Sequence, residues 1–275
     1  MTKKALKNDG IFTASLIDGF FGWLKRTAYN NFLETNEKWF TRVGLGLMYF
    51  ISVMSLVVSI VFIMKYNALN GGYVFAAGIC GFLAAVVLQY IAAKTIPCLN
   101  LLVSNTPVKL SSTSVLDIVA LAAGIFGVVA LLGGLIISIK ASSFQFFITG
   151  LSIFVICEYW LAMALKPESL NIEIVKDTSA GEEFIGLLTF FAKGSLKIIP
   201  VIFCGCMIFA AYDLIAMMFV RYDYVNEITR EAGLVVYAMC GALLPLFGYV
   251  SFIGYYFTID IARAVLSIPA KLDKK

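Results

Sequence analysis

The sequence predicts an all-α integral membrane protein with six transmembrane helices, arranged as three parallel hairpins, together with amphipathic interfacial helices. Hydrophobic residues make up 61% of the 275 residues, charged residues only 14%, and the mean hydropathy is +0.92, outside the usual range of soluble proteins. Six apolar segments each exceed the roughly 20 residues that a helix needs to cross a hydrocarbon core of about 30 Å. Because lipid cannot hydrogen-bond exposed amides, such segments must be helical.

The six predicted spans divide the chain into three regions. Residues 1–42 form an amphipathic N-terminal region on the cytoplasmic side, residues 43–259 form the six-helix bundle, and residues 260–275 form a basic tail. Within the bundle, the hairpins occupy residues 43–93, 118–165 and 198–259. The spans run from Val43 to Met64, Gly71 to Ala93, Ile118 to Ile139, Phe144 to Leu165, Ile198 to Val220 and Ala232 to Ile259.

Lys and Arg residues are distributed unequally along this pattern. The short turns of the hairpins hold only Lys65, Lys140, Arg221 and Arg230, whereas the other 17 of the 21 lie in the N-terminal region, the longer connections and the tail. Since positively charged loops resist translocation, we expect both termini in the cytoplasm, with the inner membrane of a bacterium as the expected location. The same bias accounts for the net charge of +4. It predicts contact with an anionic inner leaflet and no binding of nucleic acid.

Two further segments have the periodicity of amphipathic helices. In residues 11–32, Phe12, Leu16, Phe20 and Leu24 recur at a spacing of four residues. We expect this helix at the membrane interface, and the alternative is a helix packed under the bundle or against a partner. A second segment, with Phe184, Leu187, Leu188 and Phe191 on its apolar face, is expected to lie along the membrane surface before the fifth span begins.

Weak internal similarity indicates a repeated hairpin. Ser114 with Asp117, and Ser179 with Glu182, have the spacing of a capping box ahead of the second and third hairpins. The second helix of each hairpin also contains a Gly followed eight residues later by a polar or aromatic residue. These pairs are Gly81 with Gln89, Gly150 with Glu158, and Gly248 with Tyr256. A genuine repeat predicts a pseudo-threefold bundle, and chance similarity is the alternative.

Small residues in the spans predict close contacts between helices. Glycines let backbones approach each other in lipid, where dispersion replaces the hydrophobic driving force. Packing within the chain is the favoured interpretation, and a face for another subunit is the alternative. The candidate packing glycines are Gly81, Gly124, Gly127 and Gly134. Pro245, inside the sixth predicted span, is expected to kink that helix.

The only formal charges inside the spans are Glu158 and Asp213. An ionisable group in a span costs about 2.5 to 3.5 kcal/mol on insertion scales, so it faces a polar interior and often binds a proton or an ion. Counting residues from the helix ends separates the two by about 10 Å along the membrane normal, too far for a shared proton. With Gln89 and Tyr256, they form the candidate polar or ion site, and the alternative is that they are structural carboxyl groups.

The sequence lacks the residues and motifs on which several common catalytic and metal-binding sites depend. The chain contains no His, its six Cys have no metal-ligand spacing, and no phosphate loop or nucleophile elbow is present. We therefore predict a protein that is not an enzyme, with no metal site and no cofactor. The predicted function is a structural or accessory subunit that organises other membrane subunits, a second copy of itself, or lipid. The alternative is a small channel or carrier that uses the intramembrane carboxylates.

Overall fold

The all-α fold class is confirmed. The computed structural model describes residues 12–27, 29, 32–66, 71–175, 179–219, 233, 235–236 and 239–272, and six of the helices in this part of the chain are long and apolar enough to span a membrane. The helices are α1 (Phe12–Thr27), α2 (Phe32–Tyr66), α3 (Gly71–Asn105), α4 (Ser114–Ala141), α5 (Phe144–Leu165), α6 (Ala180–Phe219) and α7 (Leu244–Leu272). Two short strands, β1 (Val108–Leu110) and β2 (Ile172–Ile174), and 3₁₀ turns at Pro167–Leu170 and Gly241–Leu243 complete the description.

Three helices continue well beyond the predicted spans on the side of the longer connections, which we call the inner side. Helix α2 begins at Phe32 and not at Val43, and α3 continues past Ala93 to Asn105. Helix α6 has 40 residues, about 60 Å at 1.5 Å per residue. The expected surface segment at residues 184–191 is therefore the first part of the fifth spanning helix. The prediction of a separate segment was wrong because α6 is one continuous helix from Ala180 to Phe219. The face that this helix buries is also not the predicted one, since Phe190 is fully buried whereas Phe184 and Phe191 are exposed.

The third hairpin differs from its prediction at Pro245. Much of the turn before it, including Ala232, lies outside the described residues. Pro245 is the second residue of α7, a helix that directly follows the 3₁₀ turn at Gly241–Leu243. Proline in a first helical turn sacrifices no helical hydrogen bond, so the expected kink within a continuous helix is replaced by a change from 3₁₀ to α-helix.

The three hairpins do not pack equivalently. Helix α2 packs along both α3 and α6, and α7 packs against α3 and α6, which together form a four-helix bundle. Helix α4 packs mainly along α5, and among the described residues the second hairpin meets the bundle chiefly through α5, which touches α1, α2 and α6. The pseudo-threefold arrangement is therefore not observed. The second hairpin instead lies beside a four-helix bundle.

The two predicted capping boxes have different outcomes. Ahead of α6, the amide of Glu182 donates to Ser179 Oγ at 3.3 Å and the amide of Ser179 donates to Glu182 Oε2 at 3.2 Å, which confirms the box. Ahead of α4, Ser114 is already the first helical residue and Thr113 is the N-cap, with no side-chain cap bond. The predicted box at Ser114 was wrong because the helix begins at Ser114 itself, one residue earlier than the spacing requires.

A two-stranded parallel ribbon joins the two longer connections, and the sequence analysis did not predict it. Strand β1 pairs with β2 in the register Val108 to Ile172, Lys109 to Glu173 and Leu110 to Ile174. Only three residue pairs form it, so side chains from α6 complete its hydrogen bonding. The ribbon ties the first longer connection to the second at the inner side.

Candidate functional site

An apolar groove of about 1130 Å³ separates the second hairpin from the N-terminal helices. One wall comes from α1 and the start of α2, and the other from α4 and α5. We call it the α1–α5 groove. Its apolar side chains include Leu16, Phe20 and Leu24 of α1, and Ile125, Val128 and Phe154 of the second hairpin. Phe20, Ile125 and Val128 are exposed, so in a membrane the groove is open to lipid.

Glu158 supplies the one carboxylate among the lining residues of the groove. The hydroxyl of Tyr29, which lies between α1 and α2, donates a hydrogen bond to Glu158 Oε2. Burial of Tyr29, which is 5% exposed, together with this bond and the negative charge of Glu158, raises the pKa of Tyr29 above its usual value. The phenol therefore stays protonated near neutral pH and remains the donor.

The structure places Glu158 beside the polar start of α2. Its partner Tyr29 comes three residues before α2 begins, and the adjacent Tyr159 packs its ring 5.6 Å from that of Phe32. Phe32 lies 11 residues, or about 16 Å of helix, before the first residue of the predicted span at Val43. Glu158 is thus held near the inner end of the helices.

Tyr159 forms part of the same wall. Its ring also lies 6.2 Å from that of Phe40 and is almost fully buried. Within the part of the chain that the structure describes, its hydroxyl has no hydrogen-bond partner. A buried hydroxyl without a partner costs roughly 1 to 3 kcal/mol. The groove wall therefore contains a polar atom that the protein leaves unsatisfied there.

The other candidate polar residues lie elsewhere. Asp213 in α6 is 9% exposed. Its neighbour in the chain, Leu214, belongs to a buried hydrophobic cluster that also contains Met48 and Met207. Gln89 Nε2 donates to the carbonyl oxygen of Leu45 at 3.0 Å, which joins α3 to α2.

Tyr256 packs its ring 5.1 Å from that of Phe252 in the other core cluster. The four candidate residues are therefore distributed over different contacts and do not form one site around the two carboxylates.

The candidate packing glycines lie at helix contacts of different tightness. A Cβ at Gly134 would lie 2.8 Å from the carbonyl oxygen of Phe146, and one at Gly127 would lie 3.0 Å from Cβ of Cys157. At Gly81 the nearest atom is Cβ of Ser55 at 3.3 Å, and at Gly124 it is Cδ2 of Leu161 at 3.8 Å. The closest of these approaches is between α4 and α5.

Sequence reasoning missed a set of buried charged groups at the inner side. Lys197 Nζ lies 2.8 Å from both Glu37 Oε2 and Asn100 Oδ1, which ties α6 to α2 and α3. Lys193, one turn earlier, is fully buried. Helical spacing places residues 186, 190, 193 and 197 on one face of α6, but the spacing does not show that this face is buried.

Among the described residues, no group of three His, Cys, Asp or Glu side chains is placed to hold a metal ion. No protein family, curated protein or solved structure matches this chain. The proposals below therefore rest on its own geometry.

Proposed function

We propose that this protein is a non-enzymatic structural or accessory subunit of a membrane protein assembly, in the inner membrane of a bacterium. The observation that supports this role is the separation of the α4–α5 hairpin from the four-helix bundle, which leaves α4, among the described residues, with few contacts beyond those to α5. A hairpin held at its inner end presents a long apolar surface to whatever lies beside it in the membrane.

The outer surface of α4 has the composition of a surface for lipid or other helices. Ile118, Phe126 and Ile139 are each about two-thirds or more exposed. In a membrane, contacts between helices come from dispersion and shape and not from exclusion of water. An exposed hairpin therefore suits a subunit that docks against a neighbouring membrane protein.

Photo-cross-linking in native membranes tests the subunit role. A photoreactive amino acid at Phe126 of α4 is compared with one at Tyr49 of α2, since the two side chains are 67% and 66% exposed. We expect discrete cross-linked protein bands, identified by mass spectrometry, from position 126 and not from position 49. A protein that gives no polypeptide cross-link at either position and purifies as a lone monomer contradicts the proposal.

A channel or carrier is the second candidate function. The supporting observation is Asp213, a carboxyl group that is nine-tenths buried in an apolar helix. The test is flux of monovalent cations and protons into reconstituted vesicles. Transport through these carboxylates predicts a lower flux for Asp213→Asn or Glu158→Gln, and unchanged flux in both variants rejects it.

A further inference from the structure

We propose that the α1–α5 groove binds an aminophospholipid of the bilayer, with the lipid ammonium group at Glu158 and an acyl chain between α1 and the second hairpin. This inference deepens the proposed subunit role, because it assigns a lipid to the gap that separates the hairpin from the rest of the chain. It rests on the shape of the groove, on the partners of Glu158 and on their position.

The size and the apolar lining of the groove fit an alkyl chain. Its volume of about 1130 Å³ exceeds the roughly 300 to 1,000 Å³ of ordinary small-molecule pockets. On α4 the lining runs from Ala120 to Val129, about 13 Å of helix. If the groove were empty, the apolar side chains that line it would have no partner atoms on one side and would lose dispersion contacts. In a membrane, lipid tails are the apolar groups present at the highest concentration beside such an opening.

The carboxylate of Glu158 favours a lipid with a cationic head group. Among the described residues, Glu158 has one hydrogen-bond partner, the neutral phenol of Tyr29, and no ion pair. A carboxylate in apolar surroundings is stabilised by an opposite charge within about 4 to 6 Å. An ammonium group supplies that charge and several donors. A lipid whose head carries only a phosphate would place a second negative charge beside Glu158.

The position of Glu158 agrees with a lipid head group. Glu158 contacts Tyr29 next to the start of α2, and the first three turns of that helix contain the charged residues Glu34, Lys38 and Arg42. Phe154, one turn further along α5 toward the outer side, belongs to the apolar part of the groove. Leu161, about one turn toward the inner side, also lines the groove, so Glu158 lies within the groove wall and not at its end. The apolar side chains on its outer side are those offered to the acyl chain.

Photolabelling of the full-length protein in lipid nanodiscs tests the proposal. The probes are phosphatidylethanolamine and phosphatidylglycerol, each with a diazirine on an acyl chain, and labelled peptides are mapped by mass spectrometry. We expect the ethanolamine probe to label α4 and α5 about tenfold more than the glycerol probe, the effect of one charge-assisted hydrogen bond. Glu158→Gln should abolish this preference, while the surface control Glu173→Gln should keep it.

A second variant fills the groove. Gly124 lines it, and a Cβ there meets Leu161 at an ordinary distance of 3.8 Å, so Gly124→Leu should fold and lower labelling by both probes. If that variant does not fold, the ratio of the two probes in Glu158→Gln decides alone.

Equal labelling by the two probes, or a preference that survives Glu158→Gln, overturns the proposal. Capture of a polypeptide by a photoreactive amino acid at Val128, in place of lipid, also overturns it. Cross-linking from Phe126 reports the subunit role separately, so either proposal can fail without the other.

Discussion

Lys193 shows how one buried side chain organises the inner connections. Its ammonium group donates to the carbonyl oxygen of Leu170 at 2.7 Å and to the carbonyl oxygen of Thr106, while a longer contact of 3.4 Å reaches that of Asn171. Thr106 precedes β1, and Leu170 and Asn171 precede β2. Because the two strands are parallel, one cation of α6 holds the single end of the ribbon at which both strands begin. Burial of this charge is tolerated because carbonyl dipoles replace water around it.

We expect Lys193→Met to destabilise the protein by about 2 to 3 kcal/mol, because buried carbonyl groups lose their donor while the volume of the side chain is largely kept. Thermal unfolding in detergent measures the change. The matched control is Lys109→Met, which removes an exposed lysine from β1 of the same ribbon. Equal stability of the two variants would show that the buried ammonium contributes nothing.

Titration of Tyr29 should make the stability of the folded protein depend on pH in the alkaline range. Burial and the bond to Glu158 raise its pKa in the folded protein, whereas the unfolded phenol titrates near its usual value of about 10. A raised folded pKa leaves the stabilising contribution intact below pH 10 and removes it as the pH rises above that value, since the unfolded state loses its proton first.

We therefore expect the unfolding temperature of the unmodified protein to fall more steeply between pH 10 and 11 than that of Tyr29→Phe, and the two curves to run parallel between pH 7 and 9. Thermal scans at each pH measure this difference. Tyr73→Phe, at an exposed tyrosine, is the control and should behave as the unmodified protein does. Identical slopes for all three proteins would rule out titration of Tyr29 as the cause.

At the scale of elements, α4 and α5 approach each other closely where glycines of the two helices meet. A Cβ at Gly150 would lie 2.5 Å from the carbonyl oxygen of Ala130, and one at Gly134 would lie 2.9 Å from Cα of Gly150. Because these neighbours are backbone atoms, no side-chain rotation relieves the overlap. The contact therefore sets the separation of the two helices.

Gly134→Ala should destabilise the protein by about 1 to 3 kcal/mol, since the helices must move apart to admit the methyl group. The adjacent Gly133 is the matched control because a Cβ there has no neighbour within 4 Å. Gly133→Ala should change the stability by less than about 0.5 kcal/mol. Unfolding of both variants in one detergent measures the contrast, and equal effects would argue against the close contact.

Elements of the inner side were predictable only in part. The capping box of Ser179 and Glu182 is local, and spacing alone identified it. The ribbon was not predictable, since its strands are more than 60 residues apart in the chain. A carboxylate of α6 also completes it, with Glu183 accepting from the amides of Ser111 and Ser112 at 2.6 and 3.1 Å. Pairing over such a separation depends on where the helices bring the connections.

On the scale of the whole molecule, hydrophobic side chains form two core clusters. One lies around Tyr159, Leu170 and Phe190 at the junction of α5, α6 and the ribbon. The other lies around Met48 and Met207 between α2 and α6. The second hairpin contributes to the first cluster through α5 and through Leu116, Ala120 and Ala123 in the first part of α4, so this cluster joins the hairpin to the rest of the molecule at its inner end.

The orientation of this molecule in the membrane gives a prediction at the same scale. Fusions of a reporter enzyme that is active only outside the cytoplasm should be inactive after residue 275 and active in the turn after Lys140. The physical reason is the concentration of Lys and Arg at the inner side. Replacing the four basic residues of the tail by Gln should leave this pattern unchanged, because the remaining inner connections keep the bias. The opposite activity pattern would invert the proposed topology.

The sequence by itself determined the class of protein and the number of its spans, because the length and polarity of a segment decide whether it crosses a bilayer. It also identified Glu158 as unusual, although not what the carboxylate contacts. Only the tertiary structure decided which hairpin stands apart, that Lys193 is buried, and that Glu158 meets Tyr29 beside an apolar groove. These features depend on the relative offset of packed helices, and contacts between distant segments leave no periodic signal along a single chain.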